Sequence, residues 1–142
     1  MIGKLQTNKV KFVIPLFDYI HSLDSIKLAV KISEEQVKKN KKLKIFIQVN
    51  IGNEDQKSGI NPAELKDFYQ LCVGDLDLDI IGLMCLPPKD NDSSEYFIEM
   101  KKLAENIKTI NLSMGMSNDY SKAAENGATF LRIGSKIFGK RD

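Results

Sequence analysis

Short apolar bursts and longer amphipathic stretches alternate along this chain, and the two rhythms predict two kinds of element. The clearest burst is Lys44-Ile45-Phe46-Ile47-Gln48-Val49-Asn50, β-branched and aromatic and closed by Gly52, which predicts a strand. Residues 79–86, Asp79-Ile80-Ile81-Gly82-Leu83-Met84-Cys85-Leu86, are almost wholly apolar and end at Pro87 and Pro88. A run of that kind suits a strand of a parallel sheet covered on both faces. Further strands are expected at 19–23, 110–114 and 129–133, with a short apolar element at 10–16 stopped by Pro15.

Between the bursts the spacing turns helical. Residues 25–39 are expected to form a helix capped by Asp24, with Ile26, Ala29, Val30 and Val37 as its apolar face. Asn61-Pro62-Ala63-Glu64 combines a capping side chain, proline at the first helical position and an early glutamate. Leu65, Phe68, Tyr69 and Cys72 supply the buried stripe of that helix. Asp92, with Glu95 three residues on, opens another whose core face is Phe97, Met100, Ala104 and Ile107. A last helix, residues 118–126, stops at Gly127. Strand and helix alternate with no hairpin signal, so the chain is α/β with a parallel sheet and right-handed crossovers. An open doubly wound sheet and part of an eight-stranded barrel both fit. In either, functional loops lie at the carboxyl ends of the strands, where Asn50, Met84, Ser117 and Gly134 fall.

Composition narrows the class. At 142 residues the chain has the length of one domain, 1–142, and its net charge of +2 lacks the basic excess of a nucleic-acid binder. The lysines that follow residue 37 sit behind Glu34 and Glu35 and suit the carboxyl end of a helix dipole. Cys72 and Cys85 lie in apolar runs without metal-ligand spacing, which predicts buried, reduced thiols. No run approaches the ~18 apolar residues of a membrane span and no signal peptide opens the sequence, so a cytoplasmic protein with no membrane partner is expected.

The candidate chemistry sits in the tail. Leu112-Ser113-Met114-Gly115-Met116-Ser117 and Leu131-Arg132-Ile133-Gly134-Ser135-Lys136-Ile137-Phe138-Gly139 each read as a strand running into a small-residue turn. Adjacent strand ends of this kind would place hydroxyls, glycines and free N–H groups side by side, an arrangement that suits a phosphate. The plainer reading is that Ser117 caps a helix and Gly134 makes a turn. For His21, next to Ser22 and Asp24, a structural hydrogen bond is the expected role, with contact to a pocket as the alternative; Lys57, in a polar loop, is expected to be solvated.

Seven blocks in order, Ile2-Gly3-x-Leu5-Gln6-x-Asn8-Lys9, Ile20-His21-Ser22-x-Asp24-Ser25, Ile47-Gln48-Val49-Asn50-Ile51, Lys57-Ser58-Gly59, Gly82-Leu83-Met84, Leu112-Ser113-Met114-Gly115-Met116-Ser117 and Arg132-Ile133-Gly134-x-x-Ile137-Phe138-Gly139, resemble the pyridoxal-phosphate homeostasis proteins, the YggS-like family. That family is similar in fold to the N-terminal barrel of alanine racemase. The resemblance implies an incomplete parallel (β/α)8 TIM-type barrel of five to six strands that binds pyridoxal 5′-phosphate without catalytic turnover of its own. By the same resemblance Ser117, Gly134 and Ser135 would hold the phosphate, Arg132 would face the pyridine ring, and Met84 and Asn50 would line the pocket. A salt bridge to a nearby acid is the alternative role for Arg132.

One departure matters. Family members carry, upstream of the Ile-Gly-x-Leu-Gln block, a first strand with a Schiff-base lysine, and this chain begins within the strand that leads to that block. None of Lys9, Lys57 or Lys136 stands where the lysine is expected. The resemblance therefore implies an N-terminally truncated barrel whose cofactor binding is weak and non-covalent unless a separate N-terminal segment completes it. Its exposed sheet edges and unfilled interior would favour aggregation; a completed barrel would be a monomer or dimer. Half of a racemase- or decarboxylase-like barrel enzyme, and a non-functional remnant, are the competing readings.

Overall fold

The computed structural model of the chain describes residues 1–88 and 92–139. Its elements are α1 (Val10–Leu16), β1 (Tyr19–Leu23), α2 (Ile26–Lys39), β2 (Lys44–Val49), α3 (Leu65–Gln70), β3 (Asp79–Cys85), α4 (Ser93–Asn106), β4 (Asn111–Met116), α5 (Tyr120–Glu125), β5 (Phe130–Arg132) and α6 (Ser135–Phe138). A π-helical turn, Leu71–Asp75, prolongs α3. The five strands pair in the order β1-β2-β3-β4-β5, every pair parallel.

That order decides between the two architectures left open by the sequence. A doubly wound sheet reverses direction at a switch point, so its strand order cannot run monotonically, whereas a barrel adds each strand beside the last. Curvature gives the same answer. Laid flat, five strands at about 4.8 Å spacing would separate the first from the last by roughly 19 Å. Yet the rings of Tyr19 on β1 and Phe130 on β5 lie 5.7 Å apart. The sheet is a curled half-barrel.

Its two faces are filled differently. The convex face carries Ile45, Ile47 and Val49 of β2, Leu83 and Cys85 of β3, and Leu112 and Met114 of β4, all buried against Leu28, Ile32, Leu65, Phe68, Phe97, Met100 and Ala123 of the helices. The concave face carries the alternate residues. There His21 stacks on Phe46 at 4.4 Å, Phe130 meets both rings edge-on at 5.5 and 5.1 Å, and Met84 stands beside Gln48 and Ser113 in the strand register. The chain's own aromatics thus meet across the concave face, with Tyr19 and Phe130 half-buried.

Local details correct some expectations from the sequence. Ser25, not Asp24, caps α2, accepting from the Leu28 N–H at 3.3 Å. The buried stripe of α2 is Leu28, Ala29 and Ile32, while Ile26 and Val37 are 58% and 80% exposed. Helix α1 runs through Pro15, which sits in its last turn. Lysines on and just after α2 form ion pairs: Lys31 with Glu35 at 2.9 Å, Lys41 with Asp18 at 3.3 Å and Lys42 with Asp77 at 2.7 Å. On the outer edge of β1, Met1 bonds as a parallel neighbour would, its amine donating to the Tyr19 carbonyl at 2.8 Å and its carbonyl accepting from the His21 N–H at 2.9 Å. Among the described residues, no helix is long and apolar enough to cross a membrane.

Two glycines permit the sheet to be this tight. A Cβ at Gly82 would fall on the Asn111 backbone carbonyl of the neighbouring strand, and one at Gly115, whose φ is +90°, would lie 2.5 Å from the Ala123 Cβ. Gly82→Ala should therefore destabilise the fold by about 1–3 kcal/mol, the usual cost of overpacking. Gly74→Ala, with nothing within 4 Å, should stay within about 0.5 kcal/mol of the parent. Urea unfolding of the two variants checks this.

Candidate functional site

The carboxyl ends of β4 and β5 meet in a single structure. After β4 the chain turns tightly, because Asp119 Oδ1 accepts from the Met116 N–H at 2.7 Å and the Asp119 N–H returns to the Met116 carbonyl at 3.1 Å. The turn holds up Ser117. Its Oγ accepts from two backbone N–H groups of the turn after β5, Gly134 at 3.3 Å and Lys136 at 3.2 Å. The hydroxyl hydrogen of Ser117 remains to donate, and the N–H of Ser135, the first residue of α6, has no acceptor within its own helix.

Beside this turn opens a cavity of about 620 Å3, lined by Ser117, Arg132, Gly134 and Ser135 together with Asp92 and Lys122. The volume lies in the range of small-molecule sites, about 300–1,000 Å3. Lys122 and Asp92 pair at 2.9 Å across its rim. The Ser94 backbone N–H, helped by Lys122, holds the Asp92 carboxyl down at about 2.

Of the two cations lining the cavity, Lys122 and Arg132, Arg132 is the more buried, and it pairs with no acid among the described residues. Instead Nη1 donates to Ser113 Oγ and Nη2 to the Cys85 carbonyl, each at 2.7 Å. Burial lowers its pKa from the ordinary value, while Asp119 acts in the opposite sense. Two of its five N–H donors are used in these bonds. Ser113, fully buried, also lies 2.8 Å from His21 Nδ1. The His21 ring is pushed down to about 4, first by burial, then by the charge of the chain's amine and by Arg132. The Cys85 thiol, pushed up to about 12 by burial, stays neutral.

Of the six residues proposed from sequence, Ser117, Arg132, Gly134 and Ser135 line this one cavity. Met84 is 1% exposed and packed within the sheet. Asn50 is placed elsewhere: its amide donates to the Glu54 carbonyl at 2.9 Å and its Oδ1 accepts from the Glu54 N–H at 3.2 Å, closing a loop. It lines a separate cavity of about 300 Å3 with Gln48 and Lys57. Lys57 is not free in solvent but ion-paired with Glu54. The salt-bridge alternative for Arg132 is replaced by bonds to two neutral acceptors. His21 makes the structural hydrogen bond expected of it, yet its partner Ser113 was not foreseen. The available signal was a serine in the middle of an apolar strand. No group of side chains suited to a metal ion occurs among the described residues.

Comparison with known proteins places this geometry. The family described as alanine racemase, N-terminal domain, matches residues 2–142. The chain belongs to the alanine racemase N-terminal domain family. Proteins named pyridoxal phosphate homeostasis protein are 38% identical to it in Aquifex aeolicus, over 99% of this chain, and 42% identical in Helicobacter pylori, over 97%. The chain spans 65% of the length of each of those relatives. PipY of Synechococcus elongatus, solved with pyridoxal phosphate bound, superposes with a TM-score of 0.87 at 30% identity, covering 96% of this chain and 68% of PipY. The arginine decarboxylase of Paramecium bursaria Chlorella virus shares the family fold at 13% identity, with a TM-score of 0.71 over 94% of this chain and 44% of its own.

The buried imidazole gives stability a pH dependence. Its pKa is about 4 in the folded chain and near 6.5 when unfolded, so between those values the unfolded chain binds more protons. The contribution is complete above pH 6.5 and is lost as pH falls to 4, up to about 3 kcal/mol at 1.36 kcal/mol per unit. Urea unfolding at pH 7, 5.5 and 4.5 should show the fall, and His21→Phe should flatten this part of the profile.

Proposed function

We propose that this chain binds pyridoxal 5′-phosphate at the ends of β4 and β5 and serves pyridoxal-phosphate homeostasis as a binding protein rather than as an enzyme. One observation carries the reading. A serine hydroxyl gathers the N–H groups of a neighbouring strand-to-helix turn, directly beside a guanidinium with no acid partner among the described residues, in a cavity of small-molecule size. An anionic head and a ring with an acceptor nitrogen would satisfy both halves. The ligand solved in PipY has both, and the relatives of highest identity named above are homeostasis proteins, not named enzymes.

The residues divide the work. Ser117, through its remaining hydrogen, and the Ser135 N–H would hold the phosphate, where oriented N–H donors favour an anion. Arg132 would face the ring. When bound, the cofactor supplies an electron-accepting pyridine and a reactive aldehyde. A guanidinium at the ring nitrogen disfavours its protonation, because two adjacent positive charges repel. A ring kept unprotonated withdraws electrons less strongly, which suits holding the cofactor more than carbanion chemistry.

Attachment in this chain is non-covalent. Lys122 is committed to Asp92, and the Lys136 amine sits over the Tyr120 ring at 5.0 Å. The outer edge of β1, where Met1 already pairs with Tyr19 and His21, is where a separate segment would extend the sheet.

Titration with pyridoxal 5′-phosphate, followed by absorbance and by the melting temperature, tests the reading. The parent chain should be stabilised by the ligand. Ser117→Ala should weaken binding about tenfold, the worth of one charge-assisted hydrogen bond, and Arg132→Gln by more. No shift in the parent would overturn the proposal. Borohydride reduction followed by mass measurement should leave the chain unmodified; a stoichiometric adduct on one lysine would refute non-covalent attachment.

A further inference from the structure

Behind Arg132 stands a chain of neutral groups that its ligand-facing role alone does not require. Cations buried in proteins are ordinarily matched by a carboxylate or fully hydrogen-bonded. Here the guanidinium rests on a carbonyl and on Ser113 Oγ, and Ser113 rests on His21. Among the described residues the histidine has no acid beside it. The charged groups acting on it are the amine of Met1 and Arg132 itself, both positive, and its nearest rings are Phe46, Phe130 and Tyr19.

We propose that His21 and Ser113 act as a positioning pair for Arg132: neutral His21 accepts the Ser113 hydroxyl hydrogen at Nδ1, which leaves the Ser113 oxygen to accept from the guanidinium and fixes its orientation toward the cavity. The argument is one of donor and acceptor counts. Arg132 can only donate, so one lone pair of Ser113 Oγ is taken by Nη1. The serine has one hydrogen to give, and His21 Nδ1 lies 2.8 Å away, within hydrogen-bond distance. With the ring hydrogen on Nε2, every bond in the series from Arg132 through Ser113 to His21 runs the same way, and each strengthens the next. The opposite tautomer would make Ser113 Oγ accept twice and strand its own hydrogen in a buried site, since Ser113 is 0% exposed. A protonated ring would add a second cation to the same oxygen. Stacking on Phe46 at 4.4 Å and 22° holds the imidazole plane in place. The pair therefore aims a cation without neutralising it, which a carboxylate in the same position would do.

The orientation of Arg132 toward a ligand rests on the function proposed above, whereas the state of the His21 ring can be read with no ligand present. His21 is the single histidine of the chain, so its ring nitrogens give one unambiguous set of nitrogen NMR signals. At pH 7 the full chain should show a neutral ring protonated on Nε2, with Nδ1 shifted as a hydrogen-bond acceptor. Ser113→Ala should return Nδ1 to the position of a free acceptor. His21→Phe, which keeps the stacking and removes the acceptor, should weaken pyridoxal 5′-phosphate binding about tenfold. Ser113→Thr, which retains a hydroxyl, should stay within about threefold of the parent. A ring protonated on Nδ1 at neutral pH would overturn the proposal even if a variant failed to fold, and so would parent-like affinity in folded His21→Phe. Failure of the parent chain to bind would instead remove the function proposed above, with the ring measurement still deciding this one.

Discussion

A positive charge kept inside the half-barrel, with no acid among the described residues to match it, is the constraint around which the rest is arranged. Leaving a guanidinium partly buried is costly unless its donors find acceptors. The fold provides two neutral ones, the Cys85 carbonyl at the end of β3 and Ser113 within β4, and so spans three adjacent strands with one side chain from β5. That requirement explains why a serine stands in the middle of an apolar strand and why an aromatic enclosure surrounds a histidine. Beside the guanidinium, the turn after β5 directs the N–H groups of Gly134 and Lys136 onto Ser117 Oγ.

Curvature makes this arrangement possible. Only when β5 is brought round toward β1 can Phe130 reach His21 and Phe46, while Arg132 bonds to Ser113 on the adjacent strand β4. Gly82 and Gly115 allow the close strand and helix approaches on the way. The concave face has thus been divided into a packed aromatic part near β1 and β2 and a polar part near β4 and β5. The residues proposed to bind the ligand, Ser117, Arg132, Gly134 and Ser135, lie in the second.

Much of this could be read from the residues, and the parts that could not share a cause. Strand bursts such as Ile45-Phe46-Ile47 and the small-residue turns at Ser117 and Gly134 are local signals, and a parallel sheet brings successive strand ends together. The adjacency of those two turns followed directly. By contrast, His21 and Ser113 are 92 residues apart, and nothing in either neighbourhood names the other. Asn50 illustrates the opposite error: it does stand at a strand end, but Glu54 lies four residues on and takes both polar groups of its side chain. On α2, Val37 and Ile26 fit a helical spacing as well as Leu28 and Ile32 do, and only packing against the sheet selects the face. Asp24 and Ser25 are both good caps, and one residue of phase separates them.

The account stands on the turns after β4 and β5 being the seat of an anion. Backbone nitrogen–proton NMR of the assigned chain, titrated with pyridoxal 5′-phosphate and separately with inorganic phosphate, tests that claim most directly. Shifts from both ligands should concentrate at Ser117, Gly134, Ser135 and Lys136, with the Arg132 side chain responding to the cofactor alone. Largest shifts around Asn50 and Lys57, or none at the 117 and 134–136 turns, would contradict it.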